Sequence, residues 1–197
     1  MNATAAKFIG ERYYEIIRGK KYMPPAPILD HDETVYSLRN LFNNIINNKS
    51  FKVFGENVDV VLDNDNTVQP DLKIISDFSK IANGKRIEGS PDFIVEVLSP
   101  SNSSHDLVDK KDLYEKHGVK EYWIVDIKNQ NIYVYLLKDG IYGDPVIYHN
   151  YSQYEIENIE NGYNDDLKEQ IKIKEIAIKT FGEEIRVPID KIFGGVN

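Results

Sequence analysis

A glutamate sits in the middle of an apolar run, Phe93-Ile94-Val95-Glu96-Val97-Leu98. Buried and unpaired, an ionised carboxylate there would cost several kcal/mol. The chain can hold it only beside a compensating cation, either a metal ion or a basic side chain. A second carboxylate, Asp71, directly follows Pro70 inside another strand-like run, Val68-Gln69-Pro70-Asp71-Leu72-Lys73-Ile74-Ile75. Asp disfavours strands, and Pro is confined to strand starts, edges and bulges. The pair therefore predicts a strand bent or ended so that a carboxylate points at something. Two inward carboxylates on neighbouring strands make an oxygen-rich site suited to Mg²⁺ or Mn²⁺. Taken singly, each residue is also compatible with an ordinary edge or surface carboxylate.

The elements that would position these residues follow from the pattern along the chain. Arg12 to Met23 reads as a hairpin with Gly19 at its turn, and Pro24-Pro25-Ala26-Pro27 breaks regular structure. Asp30 with Glu33 three residues later forms a capping-box-like start. Val35, Leu38, Leu41, Phe42, Ile45 and Ile46 then recur at helical spacing, predicting a helix near 31–47 that ends at Asn47-Asn48-Lys49-Ser50. Strands are expected over Phe51–Leu62, Thr67–Ser76 and 91–98, the last apolar on both faces and therefore central. A polar connection spans Asp77–Ser90. After the Ser99–Ser104 loop, Ser104 or Asp106 caps a helix near 105–117, closed by Gly118 at C′. Strands follow at 121–126, 132–137 and 141–148. Glu155–Gln170 is a polar, acidic insert, 172–178 a further strand, and Pro188–Phe193 a closing helical turn. Helices at two points around a mixed central sheet predict an α/β (α+β) sandwich.

Composition bounds the chemistry. The chain of 197 residues reads as one domain, with a core over about 12–150 and a C-terminal extension over 151–197. It has no Cys, which excludes disulfides, thiolate metal sites and Cys nucleophiles. With 24 basic and 32 acidic residues its net charge is −8, which argues mildly against a bulk nucleic-acid coat but leaves room for a local metal site. No apolar run approaches the roughly 20 residues that span a bilayer, and the N-terminus lacks the order of a signal peptide. The cytosol is the expected compartment.

Pro70-Asp71 with Glu96-Val97-Leu98 is a degenerate PD…(D/E)xK pattern, with Leu98 where a lysine is expected. Around it, Pro91-Asp92-Phe93-Ile94-Val95-Glu96-Val97-Leu98-Ser99-Pro100-Ser101, then Asp106, Lys110, Tyr114, Gly118-Val119 and Glu121-Tyr122-Trp123-Ile124-Val125-Asp126, resemble the Uma2 family, formerly DUF820. The match extends upstream to Tyr14-Glu15-Ile16-Ile17-Arg18-Gly19, His31 and Val68-Gln69-Pro70-Asp71, and covers roughly residues 12 to 150; the acidic insert departs from it. That family is similar to the PD-(D/E)XK nucleases of restriction-endonuclease-like fold. The resemblance implies that Asp71 and Glu96 are metal ligands, that the Val97 carbonyl completes the shell, and that the missing lysine has moved to the next helix. Lys110 is the preferred position. Lys111 stays open, although Leu107 and Tyr114 turn it partly towards the core. The helix is taken as the only local source of that amine.

Other residues receive plainer readings. His31 has two readings, facing the site, as the resemblance implies for a helix that flanks it, or, preferred, a capping or surface histidine; Glu15 is a family position that a hairpin salt bridge explains equally well, Asp92 a strand-entry residue, Asp106 a helix cap, and Tyr122-Trp123 packing. The resulting expectation is a Mg²⁺- or Mn²⁺-dependent endonuclease acting on DNA, most simply as a homodimer. The alternative is a catalytically inactive nuclease-fold module that binds nucleic acid or protein; the degenerate motif and the acidic charge both favour it.

Overall fold

The protein is seen in a computed structural model that describes residues 14–23, 28–46, 50–99, 104–182 and 185–193, without the side chains of 104–107. The start of the hairpin at Arg12, the Pro24–Pro27 break, the Asn47–Lys49 helix end, most of the loop before Ser104 and the cap at Ser104 or Asp106 lie outside the described residues. In chain order the elements are β1 (Glu15–Ile17), β2 (Lys20–Tyr22), α1 (Leu29–Ile45), β3 (Lys52–Gly55), β4 (Val60–Asp63), β5 (Asn66–Val68), β6 (Leu72–Ile75), β7 (Ile81–Ala82), β8 (Arg86–Glu88) and β9 (Phe93–Leu98). Then come α2 (Ser104–Lys116), β10 (Glu121–Asp126), β11 (Asn131–Lys138), β12 (Ile141–Tyr142), β13 (Val146–His149), α3 (Gln153–Glu160), α4 (Asp165–Gln170), β14 (Glu175–Ala177), β15 (Arg186–Pro188) and α5 (Ile189–Ile192).

The central sheet runs β12-β11-β10-β9-β6-β3, with β13 also on β11. β9 and β10 are parallel, which requires a crossover, and α2 supplies it. β6 lies antiparallel to β9. A second sheet runs β2-β1-β5-β4-β8-β7, and β14 with β15 forms a ribbon.

Strand alternation divides the core in two. Phe93, Val95 and Val97 of β9 and Trp123 and Val125 of β10 face one side, where Val35, Leu38 and Phe42 of α1, the β14–β15 ribbon and α5 cover them. Ile94 of β9 and Tyr122 and Ile124 of β10 face the other side, against Leu113 and Tyr114 of α2 and Val60, Val68 and Ile87 of the second sheet. β9 and β10 are thus covered on both faces, as the apolar sequence of β9 predicts. Tyr122 and Trp123 are fully buried packing residues.

Several boundaries differ from expectation. The helix begins at Leu29, and its N-cap is Ile28, which makes no side-chain bond. Asp30 lies inside the first turn, where its charge suits the helix dipole. Phe51–Leu62 is two strands in two sheets, β3 and β4, separated around buried Gly55. The run at 67–76 is broken at Gln69-Pro70-Asp71 into β5 and β6, since Pro70 has no N–H for a ladder. Residues 77–90 hold a 3₁₀ turn and the β7–β8 pair. The 141–148 strand splits at Gly143-Asp144-Pro145, again at a proline. The acidic insert forms two short helices, the first opened by a capping box of Ser152 and Glu155.

Candidate active site

The β6–β9 register places Leu72 opposite Val95 and Lys73 opposite Ile94. One step further it sets Asp71 opposite Glu96, and residues directly opposite in an antiparallel pair share a face. That face is the one covered by α2 and the second sheet. Asp71 Oδ2 accepts from the Val97 backbone N–H at 2.7 Å, so the aspartate continues the strand pairing with its side chain where Pro70 interrupts the backbone. The carbonyl of Val97 leaves the strand on the same edge as its N–H.

Glu96 is 4 % exposed. Its Oε1 accepts from the Tyr114 hydroxyl at 2.7 Å and from Lys110 Nζ at 3.1 Å. Tyr114 and Lys110 lie one helical turn apart, so α2 presents both to β9 together. Lys110 also pairs with Glu15 Oε1 at 3.0 Å, and Glu15 accepts from the Gln69 N–H at 2.9 Å. The buried cation demanded by Glu96 is therefore Lys110, shared between two carboxylates. Lys111 instead lies over the rings of Tyr135 and Tyr142, at 5.5 and 5.9 Å.

Burial raises the Glu96 carboxyl above the usual range, against the pull of Lys110; Asp71 and Glu15 push it the same way as burial. Desolvation would lower the Lys110 ammonium, but Glu96, Glu15 and Asp71 together outweigh it and hold the lysine charged. Burial also raises the Tyr114 phenol, helped by Glu96 and Glu15, which keeps it a donor.

Two residues that the sequence left with two readings, His31 and Glu15, lie beside the cluster, and Lys73 joins them without having been singled out. His31 is neither a cap nor a surface residue: it is 6 % exposed with Nε2 3.4 Å from Asp71 Oδ2. Desolvation lowers its pKa, and Asp71, with Glu56 and Glu96 behind it, more than reverses this. The orientation of α1, fixed by its apolar face on the sheet, swings its first turn to the end of β6. Glu15 reaches across to Lys110, and among the described residues of the hairpin it meets no cation. Lys73, read only as part of a strand, is fully buried, so α2 is not the only local source of an amine. Its Nζ donates to the carbonyls of Glu56 and Pro70, both at 2.8 Å. Burial pulls its ammonium down to about 7, against the raising effect of Glu96 and Asp71. The signal for Lys73 was its spacing, since residues 71 and 73 of a strand share a face. Glu56 also borders the site: burial, then Asp71 and Asp32, raise its carboxyl. Asp92 does serve strand entry, accepting from the Ser76 N–H and hydroxyl and from Lys120.

Among the described residues no three His, Asp or Glu side chains converge as a metal-binding group. Among the described residues the hydrogen bonds of the two carboxylates engage Asp71 Oδ2 and Glu96 Oε1, so Asp71 Oδ1, Glu96 Oε2 and the Val97 carbonyl would supply an all-oxygen set. That chemistry fits Mg²⁺ or Mn²⁺, which take few protein ligands and fill their shell with water and phosphate oxygens.

The mixed sheet, its βαβ crossover over β9 and β10 and the flanking helices define a restriction-endonuclease-like α/β fold. Residues 10–167 match the model of the Uma2 family, described as "Putative restriction endonuclease". The chain belongs to the Uma2 family. It is similar to the crystal structure of "a putative nuclease belonging to DUF820" from Anabaena variabilis ATCC 29413, with a TM-score of 0.68 and 18 % identity over 95 % of this chain and 96 % of that chain. No curated protein matches the sequence. Among the described residues no helix is long and apolar enough to cross a membrane.

Proposed function

We propose that this chain is a Mg²⁺- or Mn²⁺-dependent endonuclease that hydrolyses phosphodiester bonds in DNA, in the cytosol and as a homodimer whose two sites address the two strands of a duplex. One observation carries the reading: Asp71 and Glu96 share a face on paired strands, with the Lys110 ammonium 3.1 Å from Glu96. Asp71, Glu96 and the Val97 carbonyl would hold the ion, which when bound supplies polarisation of a phosphoryl group and acidification of a water. Lys110 has three N–H donors. Two are directed at Glu15 and Glu96, and the third can orient the attacking water or bind a phosphoryl oxygen as negative charge develops. Tyr114 fixes the Glu96 rotamer, and Val97 N–H fixes that of Asp71. In the displacement, water gives up one proton to solvent as its oxygen bonds to phosphorus, the bond to the leaving oxygen breaks, and the leaving oxygen takes up a proton from solvent.

A second reading, the inactive nuclease-fold binding module, draws on a different observation. The Glu96 Oε1 charge is already compensated by Lys110 and Tyr114, while Asp71 Oδ2 pairs with Val97 and His31, so neither carboxylate depends on an ion for a partner. Incubation with single- and double-stranded DNA in Mn²⁺ or Mg²⁺ separates the two. The nuclease reading predicts metal-dependent cleavage by the wild type, reduced at least a hundredfold in Lys110→Met, by analogy with loss of a transition-state donor. DNA retained intact by the wild type, with or without metal, favours the module.

A further inference from the structure

Lys73 lies outside the motif that pointed to the site, yet its bonds converge on it. Lysine is rarely found fully buried, and a carbonyl-bonded ammonium in a core gives no packing advantage over Met or Leu. Its two acceptors are specific. The Pro70 carbonyl belongs to the same planar peptide unit as the Asp71 nitrogen, so the 2.8 Å bond from Nζ fixes how the chain enters Asp71. The Glu56 carbonyl, also at 2.8 Å, ties that unit to the β3–β4 turn. On the other side of the bend, the Gln69 N–H is taken by Glu15. Where Pro70 removes the ladder, two side chains, one a donor and one an acceptor, hold the backbone instead.

We propose that Lys73 is a positioning residue of the metal site: it locks the Pro70–Asp71 peptide so that Asp71 faces Glu96, without itself touching ion or substrate. This rests on reading Asp71 and Glu96 as metal ligands. The test is calorimetric titration of the full chain with Mn²⁺ alone, no nucleic acid present. Lys73→Met should bind Mn²⁺ about tenfold or more weakly than the wild type, the usual effect of losing a residue that orients a ligand. Removing a nearby positive charge would by itself tighten cation binding, so weakening reports position and not charge. Lys80→Met removes a comparable bond, from Lys80 Nζ to the Ser90 carbonyl at 2.8 Å, outside the site and should bind as the wild type does. The chain has no Cys, so Lys73→Cys can be aminoethylated selectively while unfolded and refolded with a lysine-like ammonium, which should restore affinity. If Lys73→Met does not fold, Lys73→Gln, which can still donate to one carbonyl, is titrated with the same expectation. Unchanged or tighter Mn²⁺ binding in the Lys73 variant overturns the proposal while leaving the metal reading intact. A wild type that binds no Mn²⁺ removes the metal reading, and this inference with it.

Discussion

Glu96 is held in the core by what surrounds it: one ammonium, one hydroxyl and a neighbouring carboxylate that competes for the same cation. This arrangement makes the residue removable. A Gln at 96 keeps the shape and an oxygen that can accept from Tyr114 and Lys110, while Lys110 retains Glu15. Glu96→Gln is therefore predicted to fold in metal-free buffer with a thermal midpoint within a few degrees of the wild type. Mn²⁺ should raise the midpoint of the wild type, by a linkage worth about 2.7 kcal/mol at a hundredfold excess over the dissociation constant, and leave Glu96→Gln unmoved. Thermal melts with and without Mn²⁺ check both halves; a variant that unfolds without metal would make Glu96 a structural partner of Lys110. Glu96 was legible in the sequence because a single charge interrupts an apolar run. Asp71 was legible because Pro and Asp both oppose the strand around them. Lys73 was not, and for His31 the site-facing reading stood second, because a lysine in a mixed strand and a histidine at a helix start ordinarily face water. Only the tertiary placement of β6 and α1 turns them inward.

At the scale of elements, α2 does two jobs. It closes the parallel crossover and it delivers Lys110 and Tyr114 to Glu96. Its end is fixed by a Schellman closure, Val119 N–H to the Tyr114 carbonyl and Gly118 N–H to the Glu115 carbonyl, with Gly118 at φ +76°. Gly118 was readable for that reason. A second tie was not. His117 faces acceptors with both ring nitrogens, the Leu113 carbonyl at 2.8 Å and Asp63 Oδ2 at 2.8 Å, linking α2 to β4. Against a partial desolvation, the bonds from His117, the Asp65 N–H and Asn66 bring the Asp63 carboxyl down to about 2. A depressed carboxyl pKa gives stability that is present above the unfolded value and lost as pH falls through the folded one, here from near 4 towards 2. The Asp63 side chain is 40 % exposed, so screening keeps the effect below about 1 kcal/mol. Asp63→Asn should be slightly less stable than the wild type in urea at neutral pH, with the difference shrinking towards pH 3. A difference that grows on acidification would contradict the assignment. Such long-range pairs, 54 residues apart, leave no local trace in a sequence. The splits at Pro70 and Pro145 could have been drawn from proline alone, whereas the separation of β3 from β4 depends on which sheet each joins.

Taken whole, the central sheet, the second sheet, the start of α1 and the middle of α2 bring their charged residues into one buried cluster. The apolar alternation of β9 and β10 made the central sheet and its two flanking helices legible. The C-terminal part was less so, because α3 and α4 are polar and half-exposed, marked only by a capping box at Ser152 and Glu155 and an Asn164 N-cap. The β14–β15 ribbon, by contrast, buries Ile176 and Val187 fully and completes the core over α1, so the extension is part of the packing. The central proposal is that Asp71 and Glu96 hold a divalent ion between them. The most direct measurement is calorimetric titration of Mn²⁺ into the wild type and into Asp71→Asn, which keeps the side-chain shape and an acceptor for the Val97 N–H but loses the charge. The account predicts saturable binding by the wild type and at least tenfold weaker binding by the variant, since a direct ligand should cost no less than an orienting one. Wild-type heats equal to dilution into buffer, or equal affinity in the two proteins, would contradict it.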